Sequence, residues 1–323
     1  MALNYNTVAA SLGTAVQLSN VILDVYAKEV LFTSQPTLRF ESVAVKRTDL
    51  TVNPGGTIRF LRYNALTGSP DLVETDEIQT DTLSTSTMTI SVSEKAKAVA
   101  VSEKLLRQSI TDVMGDAALS LGMHYAKNRD SMCRDVLLGG SNVIWAKGRA
   151  SRANLIAADT FDVDLIREAV EFLATNKAPK FDLDAYVCFV HPHQSKSLRK
   201  DAAWINAANY GAPGQIFTGE IGRIEDVRFV ETTQVPYVKI GTQDIWADSV
   251  DTGDNTSVAA NSNTSVYRAV VVGQNSFGVA EALPVELRDN GVQDFGRKHS
   301  IAYYGIWGAG LIETSHSVIL ETA

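Results

Sequence analysis

The chain has 323 residues, a formal net charge of −8 and a hydrophobic fraction of 45%. A chain of this size and composition can bury a large core, so it needs neither disulfides nor a metal to fold. Proteins that bind nucleic acid through its phosphates need clustered basic side chains, and the sequence has no run of lysine or arginine. Direct binding of DNA or RNA is therefore not expected. No membrane contact is expected either, since no apolar run approaches the roughly 18 residues of a membrane helix.

The N-terminal region predicts an arm that lies outside a globular core. Residues 1–20 are nearly uncharged, small and polar, which indicates an extended segment. Residues 21–33 place apolar side chains on one helical face and end before Pro36, so they predict a short amphipathic helix. The first basic side chain is Lys28, so the sequence does not predict a secretion signal. Synthesis in the cytosol is expected instead.

Two segments with alternating apolar residues predict a long β-hairpin. Ile58 and Phe60 on the first strand, and Met88 and Ile90 on the second, recur at every second residue. The connection between them carries acidic residues and no base, namely Asp71, Glu74, Asp76, Glu77 and Asp81. An isolated hairpin is marginally stable in water. Its apolar row must therefore be covered, either by the body of the same chain or by a neighbouring chain.

Residues 102–138 predict one long amphipathic helix. Apolar residues recur there at steps of three and four, and Gly139 and Gly140 follow as a stop signal. At 1.5 Å per residue such a helix would be roughly 55 Å long, about the diameter of a compact globule of this chain length. A plate or wedge with the helix as its backbone is therefore expected. Gly115 and Gly122 interrupt the pattern and argue against a coiled coil.

The C-terminal half predicts a mixed α/β unit followed by closing strands. Residues 161–176 have the periodicity of an amphipathic helix, and residues 185–190 read as a buried strand. His191 is predicted to cap a further helix, in which Pro192 is the first residue. The segment 248–265, rich in Asn, Ser, Asp and Thr, predicts an exposed loop.

The sequence carries no recognisable catalytic or cofactor motif. It contains no GxxxxGK[ST], GxGxxG, GxSxG, HExxH or CxxC pattern. His191 and His193 come closest to a metal pair, but no acidic or cysteine ligand lies at a familiar spacing. Cys133 and Cys188 are expected to be buried free thiols. We therefore expect no catalytic residues, no cofactor and no metal, and an enzyme with an unmarked site in the α/β unit stays an alternative.

The order of these parts resembles the major capsid proteins of tailed double-stranded DNA bacteriophages, which have the Hong Kong 97-type capsid fold. That order is polar arm, amphipathic helix, acidic-tipped hairpin, long helix, mixed α/β unit and closing strands. Local stretches are also similar to that family: VYAKEVLFTSQPTLRFESVAVKRTDLTVNPGGTIRFLRYN, SITDVMGDAALSLGMHYAKNRDSMCRD, YVCFVHPHQSKSLRKD and VYRAVVVGQNSFG. The resemblance covers nearly the whole chain, and its specificity comes from long stretches in order.

The resemblance implies an α+β fold with the domains of that family. Residues 1–50 would form the N-terminal arm with its short helix, and residues 51–101 the extended β-hairpin loop. Residues 102–159 and 291–323 would form the peripheral domain, with the long helix as its spine. Residues 160–290 would form the α/β axial domain.

The resemblance also implies a structural function. The chain would self-assemble into hexamers and pentamers of an icosahedral head, which encloses a double-stranded DNA genome without sequence-specific binding. Expected partners are further copies, a portal protein and a scaffolding protein, and a decoration or cement protein stays open. The expected location is the virion, with assembly in the cytoplasm of the bacterial host. The alternatives are an encapsulin-like nanocompartment shell, a tail-tube or baseplate protein, and the enzyme named above.

Candidate inter-subunit contacts follow from these patterns. The acidic tip is expected to dock on basic side chains of a neighbouring spine helix, such as Lys104, Arg107, Lys127 and Arg129. The apolar row of the hairpin is expected to supply a second contact, through Ile58, Phe60, Met88 and Ile90.

Overall fold

The computed structural model describes residues 39–48, 56–63, 66, 68, 80, 82–109, 112–181, 184–201, 220–238, 245–246 and 265–323. The predicted arm at 1–20, the predicted helix at 21–33 and most of the predicted loop at 248–265 lie outside these residues. The acidic tip lies outside them as well, with Asp71, Glu74, Asp76, Glu77 and Asp81.

The described residues form a mixed α/β molecule. The helices are α1 Glu103–Gln108, α2 Val113–Leu138, α3 Val163–Thr175 and α4 Pro192–Leu198. The strands are β1 Val45–Arg47, β2 Thr57–Tyr63, β3 Thr85–Ser91, β4 Ser93–Ser102, β5 Val143–Trp145, β6 Tyr186–Val190, β7 Glu220–Ile224, β8 Val227–Glu231, β9 Tyr237–Val238, β10 Ile245–Trp246, β11 Val266–Val272, β12 Phe277–Gln293, β13 Lys298–Leu311 and β14 Ser317–Thr322.

The larger sheet forms the main core. In the described part of the chain its strands follow the order β10-β9-β11-β6-β8-β7, and β14 and β5 join it beside β11. Every residue of β6 is buried, because α3 covers one face of the sheet and the C-terminal end of α2 covers the other. Ile166 and Leu173 of α3 pack with one set of strand side chains, and Cys133 and Leu137 of α2 pack with the opposite set.

The smaller sheet lies against the middle of α2. Among the described residues its strands follow the order β1-β12-β13-β4, and β12 and β13 form a long antiparallel hairpin. Leu121 of α2 is buried in one cluster with Ile301, Tyr303 and Trp307 of β13. The helix therefore joins the two sheets, since its C-terminal end belongs to the core of the larger one.

The predicted β-hairpin at 57–93 is present as β2 and β3. Ile58 lies opposite Ile90 and Phe60 opposite Met88, so the two apolar rows share one face. That face approaches the smaller sheet at Gly308 of β13, where an added Cβ atom would overlap the backbone carbonyl oxygen of Ser91. Only a glycine at this position admits such close contact.

The prediction of one uninterrupted helix over 102–138 is wrong. Ser109 has an extended backbone (ψ 143°) and ends α1, and a new helix begins after Asp112. The Asp112 side chain accepts the backbone N–H of Gly115 at 3.2 Å, which is N-capping geometry. Polar side chains that bond to nearby backbone compete with helix continuation. With 26 residues, α2 is about 39 Å long rather than the expected 55 Å.

Two local predictions in the C-terminal half are confirmed. The helix expected at 161–176 is α3, and Asp162 caps it by accepting the backbone N–H of Leu165 at 3.1 Å. His191 caps α4 in a capping box with Gln194, and Pro192 is the first helical residue.

The boundary between the two sheets does not coincide with the predicted domain boundary at 290/291. Strand β12 begins at Phe277 and lies wholly in the smaller sheet, with β13. Strand β14, at Ser317–Thr322, pairs with β11 in the larger sheet. The division into peripheral and axial domains stays a prediction.

Candidate assembly surface

The base of the β2–β3 hairpin belongs to the core of its own chain. Ile58 and Ile90 are buried there with Ala280 of β12. These two residues were expected at an inter-subunit contact, and that expectation is corrected. Their own smaller sheet covers them, because the glycines of β13 allow the hairpin to approach closely.

The outer part of the same hairpin remains uncovered. Met88 is 40% exposed and Phe60 is half-buried, so the apolar row changes from covered to open along the strand. Leu61, Tyr63 and Leu83 are more than half exposed. Large apolar side chains gathered on one projecting ribbon are typical of an interaction surface, whereas isolated ones are ordinary.

The predicted basic residues of the spine have different surroundings. Lys104 and Arg107 lie on α1 and are exposed, and the Arg107 Nε atom donates to Glu103 at 2.7 Å. Lys127 is half-buried on α2. An exposed pair such as Arg107–Glu103 contributes little to stability, so its arginine can exchange partners at low cost.

Arg129 is not available for docking in the way that was expected. Its side chain is only 12% exposed, and its guanidinium bridges two acids of its own chain. Nε lies 2.9 Å from Glu41, Nη1 lies 2.9 Å from Glu281, and Nη1 also donates to the Tyr125 hydroxyl at 2.7 Å. If Arg129 exchanged these partners for a neighbour's acid, Glu41 would keep Lys46 at 3.0 Å, but Glu281 would lose its bridge to Arg129.

Beside Arg129, Asp130 attaches the start of the described chain to α2. Its carboxylate is buried and accepts the backbone N–H groups of Arg39 at 3.2 Å and Glu41 at 3.1 Å. Burial raises the pKa of the Asp130 carboxyl, although these N–H donors oppose the shift. Phe40, between them, is fully buried, and its ring centroid lies 4.4 Å from that of Phe189. The chain that enters at residue 39 therefore has a fixed position on the spine.

Sequence reasoning did not identify this anchor. Asp130 lies in the stretch KNRD among other charged residues, and nothing local distinguishes a buried carboxylate from a solvated one. Its partners are about ninety residues away in the sequence, so only tertiary folding brings them together. The apolar Phe40 between charged neighbours was the available signal for a buried turn.

A second buried charge cluster lies at the end of β14. Glu321 is fully buried, and its carboxylate accepts from Arg268 Nε at 3.1 Å, Arg152 Nε at 2.9 Å and Trp145 Nε1 at 3.0 Å. Burial lowers the pKa of Arg268, and the charge of Glu321 opposes that shift. The cluster joins the C-terminal strand to β11 and to the segment after β5, which is a structural role.

The paired histidines His191 and His193 and the two cysteines are held in the local packing of the chain. The Nδ1 atom of His191 accepts the backbone N–H of His193 at 3.1 Å, and the His193 ring stacks on Tyr267. Burial lowers the pKa of His191 to about 4, because the neutral ring is favoured there. Cys133 and Cys188 are buried free thiols, and burial raises the pKa of both.

No helix in the described part of the chain is long and apolar enough to cross a membrane. Within the same residues, no group of three or more His, Cys, Asp or Glu side chains could hold a metal ion.

A helix that joins two sheets, a projecting half-covered hairpin and a firmly attached N-terminal entry together define a structural subunit with surface left for a partner. Residues 85–316 match the family model described as phage capsid protein, and the chain belongs to that family. A curated relative is the major capsid protein of Staphylococcus phage phiMR11, which is 23% identical over 185 residues. That match covers 57% of this chain and 61% of the length of the relative.

Solved structures with a similar fold are also phage capsids. The capsid of cyanophage P-SCSP1u has a TM-score of 0.72 at 17% identity and covers 95% of this chain and 94% of its own. The capsid of cyanophage Pam1 has a TM-score of 0.73 at 15% identity, covering 94% and 97%. The capsid of Ralstonia phage GP4 has a TM-score of 0.70 at 18% identity, covering 93% and 94%. The predicted α+β fold of the Hong Kong 97 type is confirmed.

Proposed function

We propose that this chain is a major capsid protein that self-assembles into hexamers and pentamers and so builds the icosahedral head around a double-stranded DNA genome. The observation that carries the proposal is the shared fold over 95% of the chain, with a family match over residues 85–316. The uncovered outer part of the hairpin supports it, because Met88 and its exposed neighbours need apolar partners that the described residues do not supply.

The physics of a closed shell agrees with this proposal. Each subunit makes the same set of contacts, and symmetry repeats that set until the surface closes. Many modest contacts of this kind are therefore sufficient to make the closed shell stable. The net charge of −8 suits a container, since an acidic wall does not hold phosphates and the enclosed DNA needs no sequence-specific binding.

The finer parts of the proposal rest on the family resemblance. Further copies, a portal protein and a scaffolding protein would be the partners, and a decoration protein would bind outside if one exists. The chain would act in the virion after assembly in the host cytoplasm. Its role would be structural, with no catalytic step.

Electron microscopy of the purified, overexpressed chain tests the main proposal. Closed shells in the fast-sedimenting fraction are the expected result. Open tubes or stacked rings would instead indicate a tail-tube or baseplate protein. A monomer at all concentrations and with all co-expressed phage structural proteins would refute the shell function and favour the enzyme alternative.

The encapsulin-like alternative requires a separate measurement. Particles isolated from the natural source are treated with nuclease, and the protected nucleic acid is then extracted. Genome-length double-stranded DNA inside the particle is the expected result. A shell that protects a folded cargo protein and no DNA would favour the nanocompartment.

We also propose that the acidic tip of the hairpin docks on basic side chains of a neighbouring subunit, with Lys104 and Arg107 on α1 and Lys127 on α2 as its partners. Lys104 and Arg107 are exposed, and the pair of Arg107 with Glu103 costs little to open. Arg129 no longer belongs to this set, because it bridges Glu41 and Glu281.

A charge exchange tests the docking proposal. Reversal of three tip acids (Asp71→Lys, Glu74→Lys and Asp76→Lys) should abolish shells while the subunit keeps its melting temperature. Reversal of three exposed acids on α3 (Asp164→Lys, Glu168→Lys and Glu171→Lys) is the control with an equal charge change and should leave shells intact. Adding Lys104→Glu and Arg107→Glu to the tip variant should restore shells. Normal shells from the tip variant alone would refute the docking.

A further inference from the structure

The sequence contains a single Asn-Gly pair, Asn290–Gly291, and it lies on β12. Asn290 is exposed and Gly291 is half-buried. The side-chain amide of an asparagine can react with the backbone nitrogen of the next residue, which closes a five-membered succinimide ring and releases ammonia. A side chain on that next residue hinders the approach, so glycine, which has none, makes the reaction easiest.

The strand is irregular at this pair. Asp289 lies opposite Ile301 and Val292 lies opposite His299, so β12 has one residue more than β13 between these two pairs. Gly291 has a φ of 69°, and the extra residue and the positive φ together are the geometry of a β-bulge. A Cβ atom added to Gly291 would meet no atom of the described chain within 4 Å. The space beside Gly291 is therefore open, so a ring can form there without displacing a neighbour.

A carboxylate holds the proton that this reaction must remove. The backbone N–H of Gly291 donates to Asp289 Oδ1 at 2.8 Å, and His299 Nε2 lies 2.8 Å from the same oxygen. The Gly291 N–H and, to a smaller extent, the His299 ring hold the pKa of the Asp289 carboxyl below its ordinary value, so it is ionised at neutral pH. A base within hydrogen-bond distance of the proton that it removes has the geometry of a general base. The N–H bond lies in the peptide plane, whereas the nitrogen attacks from above that plane, so the hydrogen bond does not block the attack.

We propose that Asn290 converts itself into a mixture of aspartate and β-linked aspartate, with the Asp289 carboxylate as the general base. The Gly291 nitrogen forms a bond to Asn290 Cγ while its proton moves to Asp289 Oδ1. The bond from Cγ to the amide nitrogen then breaks, and that nitrogen takes the proton from Asp289 and leaves as ammonia. Water opens the succinimide at either of its two carbonyl carbons, which gives the two products. This inference goes beyond the proposed function and does not depend on it.

The modification would change the end of the β12–β13 hairpin. Both products place a carboxylate at position 290, beside that of Asp289, and like charges repel at this distance. The β-linked product also lengthens the backbone of β12 by one methylene group, where the strand already holds an extra residue. The pair of Val292 with His299 lies just beyond that point, so its pairing should weaken in the modified chain.

Peptide mapping of the folded, unassembled subunit after incubation at neutral pH tests the proposal. Both products should accumulate at position 290, with a matching release of ammonia, above the background of a sample digested without incubation. The β-linked product is diagnostic of the ring, because direct hydrolysis of the amide gives ordinary aspartate alone. Asn275 is the internal control: it is an exposed turn residue, but the buried Ser276 follows it, so it should keep its amide. An intact Asn290, or ordinary aspartate alone, would overturn the proposal.

Two variants and an unfolded sample test the role of Asp289. Asp289→Asn keeps an acceptor oxygen for the Gly291 N–H but cannot take up its proton, so the reaction at Asn290 should slow by about tenfold or more. Fragmentation of the peptide distinguishes position 289 from position 290. Asn290→Gln keeps an amide but would have to close a larger ring, so it should give no product. Both side chains are exposed, so both variants should melt at the temperature of the original.

Urea releases the carboxylate from the Gly291 N–H and should also slow the reaction in the original chain. An unchanged rate in Asp289→Asn, or a rate in urea equal to or above that of the folded chain, would overturn the role of Asp289 as the base.

Discussion

The substitution Asp130→Ala should release the N-terminal entry segment from α2. The carboxylate accepts two backbone N–H groups, from Arg39 and Glu41, and both would lose their acceptor. An orphaned buried donor costs about 1–3 kcal/mol, and these residues are half-buried, so water can satisfy them in part. The free energy needed to open this segment should fall by about 2–4 kcal/mol. In Asp130→Asn it should fall by about half as much, because the amide keeps one acceptor oxygen.

Hydrogen exchange measured on unassembled subunits is the direct assay of this release. A loss of about 2–4 kcal/mol corresponds to roughly 30- to 1000-fold faster exchange in a peptide that covers residues 39–47. A peptide that covers β6 should keep its protection, since the core of the larger sheet does not depend on Asp130. Glu168→Ala, which removes an exposed helical acid, should change neither peptide. Unchanged protection at 39–47 in Asp130→Ala would refute the anchoring role.

Three further substitutions probe other parts of the structure by urea unfolding of the subunit. His191→Asn keeps a good N-cap but removes a ring whose pKa is about 4 in the folded chain and 6.5 in the unfolded chain. Between pH 7 and pH 4.5, the free energy of unfolding of the original should fall by about 2 kcal/mol more than that of the variant. Equal decreases in the two proteins would contradict the assignment. Glu321→Gln leaves the buried Arg268 and the partly buried Arg152 without their carboxylate and should lower the free energy of unfolding by about 3 kcal/mol. A decrease below about 1 kcal/mol would show that the cluster is dispensable. Gly308→Ala should cost about 2 kcal/mol or more, because its methyl group overlaps the Ser91 backbone, and an unchanged midpoint would show that the hairpin does not pack as described.

The anchor at Asp130 bears on the proposed function. The chain enters the described structure at residue 39, on the face of α2 where Arg129 also bridges Glu41 and Glu281. An N-terminal segment that contacts neighbouring subunits would need such a fixed point, because a freely moving attachment would not orient the segment toward its neighbour. The charge pairs and the buried Phe40 supply that fixed point by different interactions.

Periodicity predicted most elements that depend on neighbours in sequence, but it missed the local break between α1 and α2, where α1 ends at Ser109 and α2 begins after Asp112. The alternation of Ile58, Phe60, Met88 and Ile90 predicted the hairpin and its shared face. The capping role of His191 and the helix after Asp162 followed from local backbone chemistry. The fold class followed from the order of these elements and from the resemblance of long stretches to one family.

Tertiary structure decided which of those faces are covered and which charges are free. The apolar row of the hairpin reads the same along its length, yet Ile90 is buried on its own sheet and Met88 is not, because the glycines of β13 lie only under the base. Arg129 and Arg107 look alike in sequence, but one bridges distant acids and the other faces solvent. Burial and ion pairing depend on residues brought together from far along the chain, whereas helix and strand patterns depend on the nearest few.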